Sequence, residues 1–174
     1  MDGVIIVSGV PGAGKSTLAP LLAARFERGV HIEADALQRM IVSGGRWPGE
    51  EPIEEGYGQL RLRGLNTCLL GDSFRQAGFV PVLDDIVVGS RVDEFLADLQ
   101  SRPVYLVMLL PDLETLERRN AERAKENVFH QALGLDPVAR NETPMGLRID
   151  TSDQSPVQSV EAVMDRLEAD ARIA

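Results

Sequence analysis

The chain has 174 residues, with 44% hydrophobic and 26% charged side chains, a composition that excludes disordered, collagen-like and low-complexity classes. Lys and Arg number 18 against 27 Asp and Glu, for a net charge of −9 and a pI near 4.7, so a broad duplex-binding surface is not expected. A single cysteine, Cys68, and two histidines, His31 and His130, exclude an intramolecular disulfide and argue against a Cys- or His-built zinc site.

The start carries no basic segment before its short apolar run, and no run approaches about 18 apolar residues. A cytoplasmic protein without a membrane span is therefore expected. Residues 1–174 read as one domain, since no stretch has the composition of a linker.

Val4 to Ser8 is a short apolar strand. A Gly-rich turn follows, then a helix from Lys15 to about Glu27 with Leu18, Leu21 and Leu22 on one face and Gly29 as its stop. Val30 to Glu33 is a second strand and Asp35 to Ile41 a second helix. Ser43 to Gly49 is broken by Gly and Pro, an acidic patch runs from Glu50 to Glu55, and helical periodicity spans Tyr57 to Gln76. Phe79 to Leu83 is a third strand ending on Asp84-Asp85. Ser90 to Asp93 has the form of a capping box and opens a helix to Gln100. Val104 to Leu110 reads as a central strand, and Asp112 as the N-cap of a helix to Lys125. After an ambiguous stretch, Gly146 to Ile149 is a last strand. Ser155-Pro156-Val157-Gln158 opens a C-terminal helix with an N-cap Ser, Pro at the first turn and Gln at N3. Five apolar strands alternating with helices describe an α/β fold with a parallel sheet covered on both faces.

The clearest motif is Gly9-Val10-Pro11-Gly12-Ala13-Gly14-Lys15-Ser16, which fits G-x-x-x-x-G-K-[ST] at every fixed position between a strand and a helix. The glycines let successive backbone N–H groups turn inward on an anion, and the helix start adds its dipole. Lys15 brings charge to the β and γ phosphates, the Ser16 hydroxyl is a hard ligand for Mg²⁺, and Thr17 reaches the α phosphate. The motif points to a nucleoside triphosphate with Mg²⁺.

In open α/β sheets ligands lie beyond the carboxyl ends of the strands. Asp84 and Asp85 end a strand there, and Asp84, first after the apolar run, is the better candidate for the metal. Asp35 follows the second strand and suits a base that accepts the proton of an attacking hydroxyl; Glu33 is the alternative. Arg119 and Arg123 are four apart on one helical face and can stack on a base and clamp a transferring phosphate. Trp47 fits either an acceptor wall or a loop anchor. Tyr57, Arg61 and Arg63 stay open, Arg140 fits a mobile cover, and Cys68 fits the core.

Three pieces, Gly9 to Thr17, His31 to Leu37 and Val82 to Val87, resemble the small P-loop kinases related to nucleoside monophosphate kinases, and among them the chloramphenicol phosphotransferase-like group. The likeness runs from residue 3 to about 125, and more loosely over Leu147 to Ser152. Residues 43–63 match no member's acceptor contacts. The resemblance implies a P-loop NTPase three-layer sandwich with a five-stranded parallel sheet of order 2-3-1-4-5, and phosphoryl transfer from ATP to a hydroxyl. It implies Asp35 as the acceptor base, Arg119 and Arg123 as base and lid arginines, and the Asp150-Thr151-Ser152 loop as the adenine edge.

The leading expectation is thus an ATP- and Mg²⁺-dependent kinase acting on a small hydroxyl-bearing molecule. Lys15 and the loop amides hold phosphate, Ser16 and Asp84 the metal, Asp35 activates the acceptor and Arg123 offsets charge on the transferred group. Residues 43–63 are the expected acceptor insertion and 126–145 the expected lid. The alternatives are a kinase for a nucleic acid 5′-hydroxyl, and a nucleotide-binding switch or toxin-type module that acts through a partner.

Overall fold

The computed structural model describes residues 2–121 and 128–174. At its centre lies β1 (Val4–Ser8), all five residues buried. Its branched apolar side chains suit a strand covered on both faces. Around it stand β2 (Gly29–Glu33), β3 (Val80–Asp84), β4 (Val104–Leu109) and β5 (Leu147–Ile149). They form one all-parallel sheet of order β2-β3-β1-β4-β5. The expected order and fold class are found.

The helices are α1 (Lys15–Ala23), α2 (Ala34–Arg39), α3 (Ile53–Gln76), α4 (Arg91–Asp98), α5 (Leu113–Ala121), α6 (Val128–Pro137) and α7 (Pro156–Asp170). Right-handed crossovers fix their layers. The step from β1 out to β2 puts α1 on one face, where it packs with α7, and the steps back across the sheet put α3 and α4 on the other. No described helix is long and apolar enough to cross a membrane. The C-terminal residues close the amino edge of the sheet, where the Val104 N–H donates to Ala174 O and the Ile173 N–H to Val104 O.

Several local expectations are corrected. The first helix ends at Ala23, not near Glu27; the N–H groups of Arg25 and Phe26 turn back to Leu22 and Ala23. Gly29 is therefore not the helix stop. It opens β2, against Ala23, where a Cβ would lie 1.8 Å from the Ala23 carbonyl oxygen. The capping box at Ser90 does not form: Ser90 is itself helical and its side chain caps nothing. The turn is closed instead by backbone bonds from Arg91 to Val88 and from Val92 to Gly89. The long helix begins at Ile53 rather than Tyr57, with Glu54 and Glu55 in its first turn, where acidic side chains meet the positive end of the dipole. β5 begins one residue after Gly146.

The other caps are as expected. Asp112 accepts from the Thr115 N–H at 2.7 Å, which holds its carboxyl below the usual carboxylate range. Ser155 and Gln158 make the reciprocal box that starts α7, a device that contributes about 1 kcal/mol.

Cys68, on α3, is fully buried in the core. Burial pushes its thiol up to about 12 from an ordinary 9.0. The raised value means that Cys68 favours the folded state below pH 9, and that this contribution is lost as the pH climbs from about 9 towards 12. At pH 8, native protein is expected to resist a thiol reagent while urea-unfolded protein reacts at once. Rapid labelling of native protein would contradict this burial.

Candidate functional site

The parallel sheet brings the ends of all five strands to one edge, where the 9–14 turn, Lys15, Asp35, Asp84, Asp85, Arg119 and Thr151 are found. Residues 9–14 connect β1 to α1. No side chain caps α1, so the donors at its start face the hollow of the loop. Lys15 arches back, with Nζ 3.4 Å from Val10 O. Ser16 and Thr17 are exposed on the first turn.

The loop is braced from α5. Asn120 Nδ2 donates to Pro11 O at 3.2 Å and to Leu116 O at 2.9 Å. Gly12 sits against this amide at φ 88°, where a Cβ would come within 2.5 Å of Asn120 Nδ2. One residue earlier, Arg119 donates to Thr151 O at 2.8 Å and to Ala13 O at 3.4 Å, and the Thr151 hydroxyl reaches Ala13 O at 3.3 Å. Arg119 and Thr151, remote in sequence, therefore meet at the phosphate loop. Beside them opens a cavity of about 380 Å³ lined by Gly14, Thr17, Leu109, Arg119, Thr151 and Gln154, among others. Its volume suits a small ligand. Arg123 lies outside the described residues.

Two adjacent carboxylates have opposite surroundings. Strand register sets Asp84 beside Val7 and Glu33 in one row. Asp84 is 3% exposed, and its Oδ2 is buried without a hydrogen-bond partner, 3.5 Å from His31 Nε2. Asp85 is saturated: Arg63 Nη2 donates to it at 2.7 Å, Arg91 Nη2 at 2.9 Å and the Ile86 N–H at 2.8 Å. Removing one partner from so buried a pair costs about 3–5 kcal/mol. Asp35, on the first turn of α2, is 51% exposed and accepts from Arg63 Nη1 at 3.1 Å.

The 43–52 segment folds over the start of α3. Gln38 Nε2 donates to Arg46 O and to Gln59 Oε1, Arg46 N–H donates to the same Gln59 oxygen, and Gln59 Nε2 donates to Gly44 O. Gly56 lies under Trp47, whose ring centre is 5.9 Å from the Arg63 guanidinium carbon. Arg61 turns away to Asp98, and Tyr57 is exposed. Arg140 is tied to Asp136 and to Pro111 O. Ala139 and Thr143 are buried, and the Gly89 N–H donates to Thr143 Oγ1.

Sequence reasoning missed Asn120 and left Arg63 undecided. Arg63 carried a signal, since it shares a stripe with Thr67 and Gly71 that faces the core; Asn120 carried none.

A strand, a G-x-x-x-x-G-K-S turn and a helix at the centre of a parallel 2-3-1-4-5 sheet define the P-loop nucleotide-binding fold. Residues 4–134 match the family described as AAA domain, and the chain belongs to it. Comparison with curated proteins gives no match. Among solved structures, a sugar kinase from Janibacter sp. HTCC2649 superposes with a TM-score of 0.65 at 18% identity, over 95% of this chain and 94% of that one. Shikimate kinase from Acinetobacter baumannii, solved with shikimate, gives 0.66 at 19%, over 95% and 92%. A gluconokinase from Sinorhizobium meliloti 1021 gives 0.60 at 19%, over 94% and 90%. At these identities the likeness is one of fold.

Gly12→Ala would force a side chain into the Asn120 amide at a backbone angle that L residues rarely adopt. It is expected to weaken nucleotide binding at least tenfold, about 1.4 kcal/mol, as read by calorimetry. Unchanged affinity would mean that the loop does not need this close approach.

Proposed function

We propose that the chain is an ATP- and Mg²⁺-dependent phosphotransferase that moves the γ-phosphoryl group to a hydroxyl of a small molecule. One observation carries the reading: Asp35, an exposed carboxylate held by Arg63, stands on the same sheet edge as the phosphate loop, just past the row that Asp84 and Glu33 share. Solved kinases of small molecules that share the fold support the same reading.

Asp35 accepts the proton of the acceptor hydroxyl as its oxygen forms the new bond to the γ phosphorus, and the bond from that phosphorus to the β-bridging oxygen breaks. Lys15 and the loop amides offset charge on the β and γ oxygens, most strongly once water is excluded. Arg119 and Thr151 frame the cavity for the base, and Arg123 offsets charge on the transferred group. The 43–63 segment serves as the acceptor wall and 126–145 as cover, within one domain over residues 1–174.

The residues fit magnesium. Asp84 offers a buried carboxylate oxygen with no hydrogen-bond partner and Ser16 an exposed hydroxyl, both hard donors. Among the described residues no group of three or more His, Cys, Asp or Glu side chains is arranged to hold a metal, so these two oxygens would be joined by phosphate and water. When bound, the ion supplies positive charge to the β and γ oxygens. The net charge of −9 disfavours an extended nucleic acid as acceptor.

Asp35→Asn is expected to lower acceptor-dependent ADP release by about 10²–10⁴-fold while ATP affinity stays within about twofold. Lys15→Ala is expected to lose both. A screen of hydroxyl-bearing small molecules supplies the acceptor. Full activity in Asp35→Asn would remove Asp35 as the base, and ATP turnover indifferent to every acceptor would favour a switch.

A further inference from the structure

Asp35 stands beside a cation that is already engaged. The Arg63 side chain is 5% exposed. Its Nη1 donates to Asp35 Oδ1 at 3.1 Å and its Nη2 to Asp85 Oδ1 at 2.7 Å, while Nε is buried without a partner. Asp85, 1% exposed, takes Arg91 on its other oxygen. Two guanidinium groups and two carboxylates thus cancel within one network. An acceptor bearing a carboxylate or phosphate would have to displace a carboxylate from Arg63, and displacing Asp85 would break a buried ion pair. Other cations of this region are also turned away: Arg39 pairs with Glu33, and Arg46 donates to the carbonyls of Gly45 and Glu51. The neighbour of this network on the loop side is the Trp47 ring. Such a ring receives the C–H face of a sugar or another ring, while Asp35 receives a hydroxyl.

We infer that Asp85 is a specificity-determining residue: by keeping Arg63 neutralised, it makes the acceptor site a receptor for an uncharged alcohol with an apolar face, and excludes hydroxy acids and phosphorylated alcohols. The inference rests on the phosphotransferase reading and names the acceptor class of that same site. Asp85 acts through Arg63 and is a positioning residue, so its effect appears in which ligands bind rather than in the chemical step.

Trp47 is the single tryptophan of the chain, so its fluorescence reports this site directly. The intact protein is titrated with shikimate and with gluconate. Wild type is expected to give no saturable change. Asp85→Asn is expected to give one, and Asp35→Asn a weaker one. Asp35 is half exposed, so if Asp85→Asn does not fold, Asp35→Asn alone decides this arm, with its circular dichroism and melting curve matched to wild type. A saturable anion response in wild type overturns the inference. So does the lack of one in the folded variants, because carboxylate pairing would then not be what closes Arg63. In a transfer assay, methyl shikimate and glucitol are expected to turn over at least tenfold faster than shikimate and gluconate, and the reverse order overturns the inference. Absence of turnover with every acceptor, with ATP still bound, removes the phosphotransferase reading, and the fluorescence arm still judges the exclusion of anions.

Discussion

A parallel sheet sends every strand's carboxyl end to the same edge, and that edge must then hold whatever charge the connecting loops bring. Here it holds the phosphate loop after β1, Asp35 after β2, Asp84 and Asp85 at β3 and Thr151 after β5. Placing β1 between β3 and β4 is what makes these parts neighbours. Val7 and Asp84 are register partners, so the carboxylate stands one strand from the loop that turns its amides inward. The site is a consequence of strand order more than of any single side chain.

Charge compensation then differentiates groups that composition cannot. Asp84 and Asp85 are adjacent and equally buried. One faces two arginines and a backbone N–H; the other has an oxygen with no hydrogen bond. The first is a structural tie that joins β3 to α3 and α4. The second has only the His31 ring nitrogen facing that oxygen, at 3.5 Å. Asp35 is intermediate, held by Arg63 at one oxygen and half exposed.

The phosphate loop was legible because its chemistry constrains each position: backbone that must turn, a cation at the helix start, a hydroxyl after it. The Ser155 box and the Asp112 cap were legible for a similar reason, since both ends of each contact lie within three residues. Ser90 has the same local pattern, yet there the chain turns through backbone bonds from Arg91 to Val88 and from Val92 to Gly89, so a cap was not needed. Gly29 looked like a helix stop because the steric demand on it comes from a carbonyl six residues back, across a turn. Asn120 and Arg63 escaped because their partners are far along the chain: Asn120 braces Pro11, and Arg63 joins Asp35 to Asp85. The Asn120 contact leaves no periodic trace, and Arg63 leaves one only in the core-facing stripe it shares with Thr67 and Gly71, which does not name its partners.

The 43–52 segment is held by two glutamine side chains that grip main-chain atoms of Gly44 and Arg46. Its path is set by Gln38 and Gln59, which lie outside it, together with its own Arg46, which donates to Gly45 O and Glu51 O, and Glu50, which accepts from the Trp47 N–H. The Trp47 side chain, 39% exposed, makes none of these bonds and can change without unfastening the loop. The ring is thus presented on a loop fastened by its polar neighbours, so that replacing it leaves the fastening in place.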